Sequence, residues 1–211
     1  MYFLTRELYF PPAENASPEG IVAIGGDLSP QRLLLAYRSG IFPWFEDDEP
    51  ILWWSPPERM VLFPDELKIS KSMRNIINRG IFRVTFNTAF REVISNCRNI
   101  KRDGQPGTWI TPDMVEAYCD LNELGIAKSV EVWQDDELVG GLYGVDLGHI
   151  FCGESMFSKV SNASKIAFIA LTKQLYIANY RLLDCQVYNE HLESLGAREI
   201  EREDFLEILK L

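Results

Sequence analysis

Histidine and cysteine are scarce in this chain. Of 211 residues only His149 and His191 are histidines, and the four cysteines, Cys97, Cys119, Cys152 and Cys185, lie 22 to 33 positions apart with no CxxC pair. That spacing fits neither a disulfide framework nor a zinc site, so free thiols and no metal centre are expected. With two histidines, a Ser/His/Asp triad also has few possible members. No run of 18 apolar residues occurs, and the opening MYFLTRELYFPP has neither a basic leader nor a small-residue cleavage site. The expectation is a cytoplasmic protein with no membrane partner. Disorder is also excluded, because 46% of the residues are apolar and 25% charged, the balance of a folded chain. Chemistry is left to carboxylates, amides and backbone.

Charge is unevenly distributed. The net charge is −10, yet from Lys68 to Arg102 nine basic residues (Lys68, Lys71, Arg74, Arg79, Arg83, Arg91, Arg98, Lys101, Arg102) face one acid, Glu92, giving this stretch +8 and the remainder −18. A basic block on an acidic protein suits an RNA held in one orientation by its phosphates; a solvated basic face without a partner is the plainer alternative.

The chain divides into three parts. Residues 1–65 are rich in Pro, Gly and aromatics, with one helix capped by Ser29, with Pro30 at its first position and Gly40 after its end. Residues 66–125 are read as a basic helix and strand segment, the candidate RNA-facing part. It holds a helix capped by Ser70 and closed by Gly80, a strand from Phe82 to Phe86, a helix started by Asn87, a glycine-bearing loop from Lys101 to Gly107, and a helix opened by Thr111-Pro112 and stopped by Gly125. Residues 126–211 begin with three strands, Ser129 to Trp133, Leu138 to Val145 and His149 to Cys152, forming an antiparallel meander. A long helix capped by Asn162 or Ser164 follows, then a strand from Arg181 to Val187, a short helix from Glu190, and a strand and helix to the end. The expected class is α+β, a smaller N-terminal α/β domain followed by a larger α+β unit.

Three clusters carry side chains that a packed core would not select. Trp44, Trp53 and Trp54, three of the five tryptophans, fall within 11 positions in loop-like surroundings. They could stack bases or adenosine, or form a small aromatic core under a Pro-rich loop; Trp44 is the functional candidate. Glu154, in Phe151 to Phe157, is placed at a strand terminus between apolar neighbours, where it is either a cleft carboxylate meeting a cation or an ordinary loop cap. Leu183 to Asn189 ends a strand in which alternation puts Asp184 and Gln186 on one face and turns Cys185 away. These two polar side chains mark either a site or a solvent-facing edge.

The strings GGDLSPQRLLLAYRSGIFPWF, ILWWSPPERMVLFP, GTWIT, SVEVWQDDELVGGLYG, FCGESMFSKVSNASK and LLDCQVYNEHLESLGA, in order from Gly25 to Ala197, resemble the leucyl/phenylalanyl-tRNA protein transferase family, a resemblance that spans about residues 20–206. The resemblance implies an aminoacyltransferase that moves Leu or Phe, Met less well, from aminoacyl-tRNA to the N-terminal amine of proteins beginning with Arg or Lys. Such transfer marks them for N-end rule degradation. It implies a C-terminal part similar to the GNAT acyltransferase fold and a monomer whose partners are Leu-tRNA, Phe-tRNA and the acceptor protein.

Carried over residue by residue, the aminoacyl and adenosine pocket is Trp44, Trp109, Leu142, Phe151, Phe168, Leu171 and Leu175, and the catalytic and acceptor-side residues are Glu154, Asp184 and Gln186. Some relatives carry Met, Leu, Phe and Phe where this chain has Leu142, Phe168, Leu171 and Leu175, which redistributes volume in the pocket. Lys71, Arg74, Arg79 and Arg83 are the expected phosphate contacts. The donor ester is already activated on tRNA, so no cofactor is expected beyond aminoacyl-tRNA as co-substrate. A GNAT acetyltransferase using acetyl-CoA is the alternative, but Glu154 to Lys165 contains no glycine to cradle a pyrophosphate. A pure RNA-binding module would not need Asp184 and Gln186.

Overall fold

The computed structural model describes residues 2–100 and 109–210. The glycine-bearing loop expected at residues 101–107, with Lys101 and Arg102, lies outside the described residues. The architecture is α+β, as the sequence predicts, and is built on two sheets.

The smaller sheet has the order β1-β2-β4-β3, from Tyr2–Leu4 (β1), Ile21–Gly25 (β2), Phe42–Pro43 (β3) and Leu52–Trp54 (β4). The helix α1, Pro30–Arg38, lies between β2 and β3. Its first turn differs from expectation: the Ser29 side chain makes no cap bond, and the Ser29 N–H instead donates to Asp27 Oδ1 at 2.9 Å.

The larger sheet has seven strands in the order β11-β5-β10-β9-β8-β7-β6: Glu58–Leu62 (β5), Arg83–Phe86 (β6), Ala127–Gln134 (β7), Glu137–Asp146 (β8), Ile150–Ser158 (β9), Leu182–Gln186 (β10) and Arg198–Glu201 (β11). The expected division at residues 65 and 125 does not follow this sheet. Both β5 and β6 complete it from earlier segments: β6 pairs the open edge of the meander at β7, and β5 pairs β10 and β11.

The helices are α2, Lys71–Asn78; α3, Phe90–Asn99; α4, Pro112–Glu123; α5, Ala163–Ile177; α6, Glu190–Glu193; and α7, Arg202–Lys210. Ser70 and Thr111 cap α2 and α4 as expected, accepting from the N–H groups of Met73 and Met114. Asn87 does not start α3. The buried carboxylate of Glu131, on β7, accepts the Thr88 N–H and the hydroxyls of Thr85, Thr88 and Ser129, so a neighbouring strand closes that helix end. Nor does Asn162 or Ser164 cap α5 through its side chain; Ser158 Oγ accepts the Ser164 N–H at 3.2 Å.

Alternation along the strands sorts the core into two layers. Tyr143, Val145, Ile150, Cys152, Val61 and Leu182 point to the side holding α1, α3, α4 and α7, whereas Leu142, Phe151, Met60, Leu62 and Leu183 point toward α5 and α2. Gly140 lets α5 sit close, since a Cβ there would come within 2.5 Å of the Ala163 Cβ. The strands β9 and β10 run parallel and are joined by α5.

Candidate active site

The parallel ladder between β9 and β10 ends where Asp184 faces Cys152. Beyond that pair a cleft of about 750 Å³ is lined from both layers of the core. Two β-bulges sit at its mouth. On β9, Tyr143 pairs with Ser155 and Gly144 with Gly153, leaving Glu154 as the extra residue. On β10, Asp184 pairs with Val61 and Gln186 with Met60, leaving Cys185 extra. Bulges re-aim side chains beside sites, and here they correct two sequence expectations. Glu154 is inside a strand that runs on to Ser158, not at a strand terminus. Asp184 and Gln186 do not share a face, because the bulge and a positive φ of 67° at Gln186 break the alternation; Cys185 lines the cleft and Asp184 does not.

The polar side of the cleft is one hydrogen-bonded system. The Gln186 amide donates to Glu154 Oε1 at 2.7 Å, and the Tyr118 hydroxyl donates to Oε2 at 3.0 Å. Behind Tyr118, its hydroxyl meets that of Tyr37. Asp184 Oδ1 accepts the Gln186 N–H at 2.9 Å, which secures the bulge. The same carboxylate, fully buried, is clasped by Arg59 through Nε at 2.8 Å and Nη2 at 2.7 Å. Arg59 is sandwiched between the Phe42 and Phe205 rings, 4.7 and 4.5 Å from their centroids, and donates to the Gly40 carbonyl at 3.3 Å. Burial opposes the Arg59 charge, but Asp184 outweighs it and keeps the guanidinium pKa above its ordinary value.

Among the described residues, no cation is paired with Glu154. Burial pushes its carboxyl up to about 7; the Tyr37 and Tyr118 hydroxyls and the Gln186 amide oppose the rise, and Asp184 adds to it. Burial likewise pushes the Cys185 thiol up, so it is no thiolate nucleophile near neutral pH. His191, also in the cleft wall, is held below the ordinary imidazole range by burial and by Lys165.

On the apolar side, Trp44, Trp109, Leu142, Phe168 and Leu171 line the cleft. Phe151 and Leu175 do not; both are packed in the core between α5 and the sheet. The tryptophans expected together separate in role. Trp53 is fully buried against Phe10, whereas Trp44 is 40% exposed beside Trp54, whose indole N–H donates to the Trp44 carbonyl at 2.7 Å.

The basic stretch is not one patch. Lys71, Arg74, Arg79 and Arg83 are exposed on α2 and β6, with α2 anchored through Met73 to the α5 side of the sheet. Arg91 and Arg98 ride on α3, whose Phe90, Val93, Ile94 and Cys97 pack on the opposite side. Arg91 is bound bidentately to Glu116 at 2.6 and 2.9 Å.

Sequence reasoning missed Arg59, Tyr37 and Tyr118. Arg59 left one signal, a cation on the alternation of a strand otherwise buried, ERMVL. The tyrosines read as ordinary apolar-face residues of their helices.

The sequence profile described as Leucyl/phenylalanyl-tRNA protein transferase matches residues 61–210, and that of the family's N-terminal domain matches residues 26–57. A leucyl/phenylalanyl-tRNA protein transferase of Flavobacterium johnsoniae is 70% identical over 210 residues, covering 100% of this chain and 99% of its own, and one from Flavobacterium psychrophilum is 66% identical with complete coverage of both. Among solved structures, a conserved protein of unknown function from Bacteroides thetaiotaomicron is similar in fold at a TM-score of 0.50 and 15% identity, covering 64% of this chain and 53% of its own. The chain therefore belongs to the leucyl/phenylalanyl-tRNA protein transferase family and is an aminoacyltransferase.

Proposed function

We propose that the cleft binds the 3′ end of a tRNA carrying Leu or Phe, and Met less well, and moves the aminoacyl group to the N-terminal amine of a protein beginning with Arg or Lys, marking it for N-end rule degradation. The observation that carries this reading is the Gln186–Glu154 pair at 2.7 Å, a polar edge facing an apolar cleft where the two strands part. An ester donor and an amine acceptor need such a combination: an apolar seat for the transferred side chain, and oriented polar groups where nitrogen attacks.

In this reading Trp44 and Trp109 stack the terminal adenosine, and Leu142, Phe168 and Leu171 seat the Leu or Phe side chain. Phe151 and Leu175 act from behind, as packing that fixes those walls. An amide is not basic at neutral pH, so Gln186 orients the attacking amine through its carbonyl while its NH₂ group stays on Glu154. Asp184 works through the Gln186 backbone and through the field of its charge on the nitrogen that becomes positive. Glu154 meets the positive charge of the acceptor terminus. The acceptor-stem phosphates lie along Lys71, Arg74, Arg79 and Arg83. The donor is already activated, so no metal or cofactor takes part, and the enzyme works as a cytoplasmic monomer.

Incubation with leucine-labelled Leu-tRNA, with acetyl-labelled acetyl-CoA, and with an Arg-initiated peptide tests the reading. Label on the peptide from Leu-tRNA alone is expected. Label from acetyl-CoA alone would overturn it in favour of an acetyltransferase.

A further inference from the structure

The tyrosine pair behind Glu154 is buried, polar and outside every role assigned above. Tyr37, on α1, and Tyr118, on α4, are 1% and 0% exposed, and the hydroxyl-to-hydroxyl contact between them ends on Glu154 Oε2. Burial pushes both phenols well above their ordinary value, so at neutral pH they donate and carry no charge. A chain of two neutral donors ending on a carboxylate favours the charged carboxylate over the acid, which has a proton of its own to place.

We infer that Tyr118 and Tyr37 are positioning residues that hold Glu154 as a proton acceptor for the incoming terminal amine. The inference rests on the transferase reading and deepens it. The acceptor arrives largely as an ammonium, since an α-amine has a pKa of about 8. One N–H bond breaks and its proton passes to Glu154, forming an O–H bond and freeing the lone pair. The amine then attacks the ester carbonyl and a C–N bond forms. The C–O bond to the tRNA 3′ oxygen breaks, and that oxygen takes a second proton from the nitrogen. The proton left on Glu154 returns to water, which accounts for the one proton that aminolysis of an ester by an ammonium releases.

Among the described residues, the other charged and titratable groups that bear on Glu154 have different roles. Asp184, on β10, raises its pKa and is itself held by Arg59 of β5. Cys152, on the same strand as Glu154, is buried with its thiol pushed well up. Gln186 donates to the other carboxylate oxygen and does not titrate. An acid limb set by a carboxyl at about 7 is therefore expected in the transfer rate.

Tyr118→Phe removes the donor while keeping the ring, and so raises the Glu154 pKa further. Transfer of leucine to an Arg-initiated peptide is measured at pH 6.5 and pH 8.5 for the parent, Tyr118→Phe and Tyr37→Phe. A rise of about one unit lowers the Tyr118→Phe rate about six-fold more at pH 6.5 than at pH 8.5, with a shift of the same sign for Tyr37→Phe, whose hydroxyl also opposes the rise. The peptide amine titrates identically in all three enzymes and cancels in the ratio. Equal losses at both pH values in both variants would overturn the inference and reduce the pair to packing. Absence of leucine transfer by the parent at either pH would instead sink the transferase reading beneath it.

Discussion

The two walls of the cleft are built from different materials. The apolar wall, Leu142, Phe168 and Leu171 with the exposed Trp44, is continuous with the core under α5, so its shape is set by packing that any similar volume would satisfy approximately. The polar wall is a chain of paired groups, Arg59 to Asp184 to Gln186 to Glu154 to Tyr118 to Tyr37, drawn from five elements. Each group in it leaves another unsatisfied if removed. Volume can drift on the first wall, and in the proposed reading this alters which aminoacyl group fits. On the second, one deletion spreads.

The largest expected break is Arg59→Ala. It strands the Asp184 carboxylate in the core, and a loss of about 3–5 kcal/mol in denaturant unfolding is predicted. Arg59→Lys restores the charge but not the two-pronged contact, and should recover only part of that loss. On the apolar wall Leu171→Ala should cost about 2–5 kcal/mol by leaving a cavity, while shifting the choice between Leu and Phe more than the rate with the better substrate. A cost near zero, with selectivity unchanged, would mean that the wall is set elsewhere.

The two walls should also separate under titration. Glu154 has a folded pKa of about 7 against an ordinary 4.5. A raised carboxyl binds its proton more tightly in the folded state, so its contribution is present at low pH and is lost as pH rises from about 4.5 through about 7. Glu154→Gln removes this dependence, so its stability relative to the parent should climb across that window. A constant difference in melting temperature from pH 4.5 to pH 8 would show that the carboxyl is not raised.

The smallest effect belongs to the surface. Charge reversal at Lys71, Arg74 and Arg79 should weaken tRNA binding with a shallower dependence on salt, whichever amino acid is esterified. Reversing Arg91 and Arg98, on the opposite side of the sheet, should leave tRNA binding closer to the parent's. Matching losses would restore the basic stretch as one surface.

The sequence exposed the regular parts of the molecule and concealed the strained ones. Ser70, Thr111-Pro112 and Gly125 mark helix ends because capping is local, so the residues that do it are neighbours in the chain. Glu131 closing α3 from β7 is invisible for the opposite reason, being a cap supplied across a sheet. Glu154, Asp184 and Gln186 were legible as candidates by residue type. Their geometry was not, because each lies at or beside a bulge, and a one-residue insertion reverses every inference drawn from alternation. Arg59 needed the Phe42 and Phe205 rings, one before it in sequence and one near the chain's end, to be seen as a core residue.

The most direct measurement compares leucine transfer from Leu-tRNA to Arg-initiated and Ala-initiated peptides by the parent enzyme and by Glu154→Gln. The polar wall, as described, predicts that the parent prefers the Arg terminus, and that the variant loses most transfer to it while still binding Leu-tRNA. A variant that transfers leucine to the Arg-initiated peptide at the parent rate would contradict it.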